Sequence, residues 1–91
     1  MKGEVLTELR TEQNRIYAER DGVLLAEITF PETAEGVFCI DHTFVDASLR
    51  GQGAAGQLVR AAVEAIHAKG GTVTATCSYA LGWLQKHNIQ Q

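Results

Sequence analysis

The sequence predicts an α+β fold, a mixed and mainly antiparallel sheet with one βαβ unit. Three observations lead there. Two strand-like runs flank Asp21-Gly22, a dipeptide that favours a tight hairpin. A third apolar run, Val37 to Val45, feeds a glycine-rich segment, Arg50-Gly51-Gln52-Gly53-Ala54-Ala55-Gly56. An amphipathic helical pattern follows it, and then a run of β-branched residues.

Taken in order, residues 1–13 are polar and weakly patterned, and are expected to add at most an edge element. Arg15 to Arg20 alternates loosely as a strand, and Val23 to Phe30 is rich in strand formers up to Pro31, which cannot donate to a ladder. Pro31 to Gly36 is read as a loop. Val37 to Val45 reads as one central strand whose polar residues, Asp41, His42 and Thr43, come late, as where a strand opens into a site. Leu58, Val59, Ala62, Val63 and Ile66 then share one helical face, with Gln57, Arg60, Glu64 and His67 opposite. The helix is predicted from Ala54 to Lys69, stopped by Gly70-Gly71. Thr72 to Cys77 reads as a strand, and Ser78 as the cap of a last helix containing Ala80, Leu81, Trp83 and Leu84. Strand, glycine loop, helix and strand imply parallel pairing across a crossover.

At 91 residues the chain is expected to be one domain with one core. Its 45% hydrophobic and 21% charged residues with a single proline are those of a folded globular protein. A net charge of -3 with scattered Lys and Arg argues against a nucleic-acid partner, and no run is long and apolar enough to span a membrane. No signal-peptide core follows Met1, so the cytoplasm is the expected location. Cys39 and Cys77 fall near opposite ends of neighbouring strands, too far apart to pair, and no Cys or His spacing suits a metal.

Glycines opening a helix let backbone N–H groups approach a ligand, and a helix N-terminus favours an anion such as phosphate. Arg50 offers a planar cationic fork beside it. A glycine cluster also makes tight turns with no ligand at all. Gly51, Gly53 and Gly56 satisfy the spacing of a dinucleotide loop, but no acidic residue stands about 20 positions on to hold a ribose, where Thr74, Thr76 and Cys77 occur instead. A mononucleotide loop fails too, because no Gly-Lys-Ser/Thr follows.

Arg50-x-x-Gly53-x-Ala55, between a strand and a helix, resembles the Arg/Gln-x-x-Gly-x-Gly/Ala signature of the GNAT superfamily of N-acetyltransferases. The ordered set His42-Thr43, Arg50-Gly51-Gln52-Gly53, Cys77 and Lys86-His87 is similar to the small YjdJ-type members, although Ala75 and Asn88 stand where those usually have proline. The resemblance implies a GNAT-like acyl-CoA N-acyltransferase fold and acetyl-CoA as cofactor. It implies that Phe44 and Val45 on the strand, Arg50, Gly51, Gln52, Gly53, Ala54, Ala55 and Gly56 in the loop, and Cys77, Tyr79, Lys86 and His87 contact that cofactor. The partner would be an amine acceptor. The tyrosine that commonly serves the family as general acid is absent, Leu84 lying near its place.

Acetyl transfer from a thioester needs a base for the amine, donors for the oxyanion and a proton for the departing thiolate. His42 is the candidate base, its alternative being a packed strand histidine. Cys77 is a candidate acyl acceptor or acid, and otherwise lines the pocket, as free cysteines commonly do. Ser78 and Tyr79 are weaker proton donors; Cys39, His67 and Trp83 read as structural. The leading function is acetyl-CoA-dependent N-acetyl transfer to a primary amine. The alternatives are a module binding coenzyme A with little turnover, and an interaction domain whose glycine loop is only a turn.

Overall fold

The structure is a computed structural model that describes residues 6 and 8–89. The expectation for residues 1–5 and 7 lies outside the described residues. Among the described residues, seven strands and two α-helices follow in the order β1 (Arg10–Glu12), β2 (Arg15–Arg20), β3 (Val23–Thr29), β4 (Glu32–Ala34), β5 (Val37–Ile40), β6 (His42–Val45), α1 (Ala54–Ala68), β7 (Thr72–Ala75) and α2 (Ser78–Lys86). A 3-10 turn, Ala47–Leu49, lies between β6 and α1.

β1, β2, β3 and β6 form one sheet, antiparallel throughout, and β4, β5 and β7 form another in which β5 and β7 run parallel. The β2–β3 hairpin turns on Asp21 and Gly22, both with positive φ (53° and 78°), as a tight turn between right-twisted strands requires. β5, α1 and β7 make up the βαβ unit.

Two elements differ from the sequence reading. The expected loop after Pro31 contains β4, a three-residue exposed edge strand on β5. Pro31 still contributes its acceptor, taking the Cys39 N–H at 2.9 Å. The expected single strand from Val37 to Val45 is divided at Asp41, and its halves serve different sheets. Asp41 donates its N–H to Thr29 O (3.2 Å) and accepts the Thr29 hydroxyl on its carboxylate (2.5 Å), turning the second half towards β3.

The core lies between the sheets and α1. Ile16, Ala18, Ala26 and Ile28 from one sheet, and Phe38, Ile40 and Val73 from the other, meet Leu58, Val59, Ala62, Val63 and Ile66. Leu58, Val59, Ala62 and Ile66 are fully excluded from solvent, so α1 cannot rotate without exposing this stripe. Gln57, assigned by periodicity to the solvent face, is half-buried: its amide bonds both the N–H and the C=O of Leu6 and ties the N-terminal segment to α1. α1 ends where Gly70 takes φ 74°.

Candidate active site

β5 and β7 stay in register only as far as Ile40 opposite Ala75. There Ile40 O accepts the N–H groups of both Thr76 (3.1 Å) and Cys77 (3.2 Å), and the chains part. β6 continues along β3 as an edge strand, while Cys77 turns into α2. The result is a wedge with β6 on one side and the α2 N-terminus on the other. An edge strand leaves alternate N–H and C=O groups unpaired, so the β6 flank of this wedge is polar backbone.

Near its apex Cys77 Sγ lies 3.5 Å from Thr43 Oγ1. Burial pushes the Cys77 thiol up, but the Thr43 hydroxyl and the nearby backbone N–H groups of Ala80, Tyr79 and Thr43 outweigh it, and the net direction is down. Cys77, not Ser78 as expected, is the N-cap residue of α2; its sulfur makes no capping hydrogen bond but lies at a helix N-terminus, where the first-turn amides favour thiolate.

At the other end of β6 is the glycine loop. Asp46 opens it by accepting from Ser48 N (3.0 Å) and Ser48 Oγ (2.6 Å). The Ser48 hydroxyl first, then the Ser48 amide and Arg50, hold the Asp46 carboxyl below its ordinary value. Gln52 donates to Ser48 O at 3.1 Å, so this predicted contact residue braces the loop. Gly51 and Gly53 have φ of 79° and 87°, conformations an L side chain resists, and Gly53 caps α1. The first intrahelical bond runs from Gln57 N to Gly53 O, leaving the amides of Ala54, Ala55 and Gly56 without helical acceptors. Val45, Leu49, Arg50, Gly51, Gly53, Ala54 and Ala55 line a recess of about 120 Å³ here. Arg50 is exposed and donates Nε–H to Val45 O at 3.2 Å. Donor amides, a cation and a recess at one end of β6, with Cys77 beside Thr43 further back on the same strand, fit a long ligand with a phosphate at one end and a reactive group at the other.

The third glycine lies inside α1. A Cβ at Gly56 would stand 3.4 Å from Trp83 Nε1 and 3.5 Å from Tyr79 Oη, ordinary contact distances that place α2 against this turn of α1 and the Tyr79 hydroxyl beside the loop. Tyr79 and Trp83 of α2 and His87, its C-cap, follow one another at i, i+4 and i+8, with Arg60 of α1 lying 5.7 Å over the Trp83 ring. Arg60, read from the sequence only as part of the helix's polar face, was not foreseen as a neighbour of Trp83, although its i+4 relation to Gly56 was a usable signal. His87 stacks on Trp83 with ring centres 3.9 Å apart and contacts Trp83 O through Nδ1 at 3.0 Å. Lys86 is exposed in the last turn of α2, about 13 Å along the helix from Cys77.

His42 is not next to Cys77. Thr43 and Val45 share the buried side of β6 with Ile28 and Ala26 across the register, whereas His42 and Phe44 alternate to the opposite face. There His42 Nε2 lies 3.3 Å from Glu27 Oε1, a partner on β3 that the sequence did not reveal. The structure thus gathers Val45, Arg50, Gly51, Gly53, Ala54, Ala55 and Tyr79 around the α1 N-terminus and Cys77 with Thr43 at the apex. His42 and Phe44 stand across the strand.

A larger recess of about 290 Å³ is lined by Glu8, Glu19, Asp21, Arg10 and Arg20 with apolar neighbours, and holds none of the predicted residues. Both cysteines are free. Among the described residues there is no His, Cys, Asp or Glu cluster suited to a metal, and no helix long and apolar enough to cross a membrane.

No curated protein matches the sequence. Among solved structures, the chain is similar to a protein from Staphylococcus aureus described as a GCN5-like N-acetyltransferase, with 31% identity and a TM-score of 0.75 over 93% of this chain and 84% of that one. It is also similar to an N-acetyltransferase from Staphylococcus aureus Mu50 (26% identity, TM-score 0.63), covering 81% of this chain and half of the other. An acetyltransferase from Clostridium acetobutylicum, solved with acetyl-CoA, shares the fold (17% identity, TM-score 0.62, 85% of this chain and 57% of that one). The family profile for GCN5-related N-acetyl-transferases matches residues 13–91. The wedge, the glycine loop on α1 and these likenesses agree: the chain belongs to the GCN5-related N-acetyltransferase family.

Proposed function

We propose that the chain binds acetyl-CoA along β6 and transfers the acetyl group to a primary amine in the cytoplasm. The observation that supports this reading is the parting of the chains after Ile40 and Ala75, with Cys77 against Thr43 of β6, the strand whose other end leads to the α1 N-terminus. The α1 amides and Arg50 hold the pyrophosphate. When bound, acetyl-CoA supplies an activated acetyl thioester. The edge of β6 that offers the Thr43 N–H to Cys77 also presents, by the two-residue period of a strand, the Val45 N–H as an oxyanion donor.

His42 serves as base from the outer face, taking a proton from an amine that approaches across β6 from the side opposite Cys77. Cys77 would act in one of two ways: as thiolate it attacks the acetyl carbon, the C–S bond to coenzyme A breaks and the acetyl group then passes to the amine; as thiol it gives its proton to the departing coenzyme A thiolate. Two free thiols suit a reducing compartment.

Thiol release from acetyl-CoA with a panel of primary amines tests the activity. His42→Ala and Cys77→Ala are each expected to lose about 100-fold or more in kcat. Wild-type rates in both variants contradict the assignments. Intact-mass measurement after acetyl-CoA exposure separates the covalent route, which adds one acetyl group at Cys77, from direct attack. The second reading, a binding module with little turnover, is favoured by Leu84: this residue near the missing family tyrosine is fully buried and donates nothing. Stoichiometric binding of acetyl-CoA without thiol release supports that reading.

A further inference from the structure

The side chain that faces His42 has no place in the scheme above. Glu27 is only 19% exposed, and its carboxylate is divided between two partners. Oε2 accepts from Arg15 Nε at 2.5 Å, while Oε1 faces His42 Nε2 at 3.3 Å. Arg15 is itself held, by Glu12 at 3.0 Å on NH1 and by the Tyr17 ring 3.8 Å from its guanidinium carbon. Asp41, the remaining carboxylate beside His42, is occupied by the Thr29 hydroxyl. Glu27 is therefore a fixed acceptor in front of one particular ring nitrogen. A neutral imidazole places its proton on the nitrogen that faces an acceptor, and the other nitrogen keeps the lone pair.

We infer that Glu27 is a positioning residue for His42: it holds the ring as the Nε2–H tautomer and so makes Nδ1 the nitrogen that takes the proton from the acceptor amine. This rests on the reading of His42 as base. Arg15 fixes the carboxylate by occupying Oε2, which leaves Oε1 for the histidine. The proton moves from the ammonium to Nδ1, His42 becomes a cation paired with Glu27, and the freed lone pair attacks the acetyl carbon; the C–S bond then breaks, and the proton the nitrogen loses on becoming an amide balances the one taken up by the departing thiolate.

Two-bond 1H–15N correlation spectra of the ring nitrogens, recorded on the full chain at alkaline pH with the imidazole neutral, read the tautomer directly. Wild type is expected to show only Nε2–H at His42. Glu27→Leu is expected to release the ring into exchange between both tautomers. Glu27→Gln has a single acceptor oxygen, which Arg15 takes, so its amide NH2 faces Nε2 and the ring is expected to shift towards Nδ1–H. A mixture or an Nδ1–H ring in wild type overturns the inference, as does an unchanged spectrum in Glu27→Leu. Thiol release adds a second readout: Glu27→Leu should lower kcat roughly ten-fold, part of a base's contribution, with KM for acetyl-CoA unchanged. A rise in KM with kcat intact also overturns it. His42→Ala tests the underlying reading separately, since full activity in that variant removes the base but leaves the tautomer result standing.

Discussion

Gly53 and Gly56 stand in one motif yet are expected to respond in opposite directions to alanine. Gly53 has φ 87° and ψ 8°, and a Cβ there meets nothing within 4 Å, so the whole cost of a side chain lies in the backbone. Holding alanine in that left-handed conformation costs about 1–2 kcal/mol. Gly56 lies inside α1 without a positive φ, and alanine there is better than glycine by about 0.5–1 kcal/mol. Its Cβ would arrive 3.4 Å from Trp83 Nε1 and 3.5 Å from Tyr79 Oη, ordinary contact distances that displace neither ring. The two variants should then differ by roughly 2 kcal/mol, or about 8–16 °C in melting temperature for a domain of this size. Thermal unfolding followed by circular dichroism, with wild type between them, is the assay. Gly56→Ala melting at or below Gly53→Ala would refute the distinction between a left-handed loop glycine and a helical one.

Gly71→Ala should destabilise by about 1–3 kcal/mol in urea titrations, because its Cβ would come 2.8 Å from two Phe38 ring carbons. Arg50→Ala should weaken acetyl-CoA binding roughly ten-fold and flatten its salt dependence, as calorimetry at two ionic strengths will show. The rate of Cys77 alkylation by iodoacetamide should rise with pH around a midpoint below that of an ordinary thiol, and Thr43→Val should move that midpoint up. The same lowered pKa has a thermodynamic sign. The folded state binds thiolate better than the unfolded chain does, so this contribution is present above the unfolded thiol pKa and fades as pH falls through the folded value. Cys77→Ala should therefore flatten the alkaline side of the stability profile.

The βαβ unit and the hairpin were legible because periodicity and turn chemistry are local. Leu58, Val59, Ala62, Val63 and Ile66 place the helix, and Asp21-Gly22 places the turn, without any knowledge of neighbours. The division of Val37 to Val45 was not legible. Nothing in that run breaks a strand by itself; Thr29, on another strand, does so by binding Asp41 at two points. β4 was hidden for the same reason, since Glu32, Thr33 and Ala34 pair only because β5 offers an edge. At the site, the glycine loop could be read from spacing, whereas the place of Gly56 beside Trp83 and Tyr79 depends on α2. His42 and Cys77 could be nominated, but their placement on opposite sides of β6 depends on the register with β3. Glu27 was invisible because its partners, Arg15 and His42, sit on two other strands.

Backbone 1H–15N spectra during titration with acetyl-CoA test the central claim most directly. Saturable shifts largest at Val45, at Gly51 to Ala55 and at Cys77 are the predicted result, marking a ligand that runs from the α1 amides to the wedge apex. No shift at those amides at millimolar acetyl-CoA, or shifts confined to the recess between Glu8 and Asp21, would contradict it.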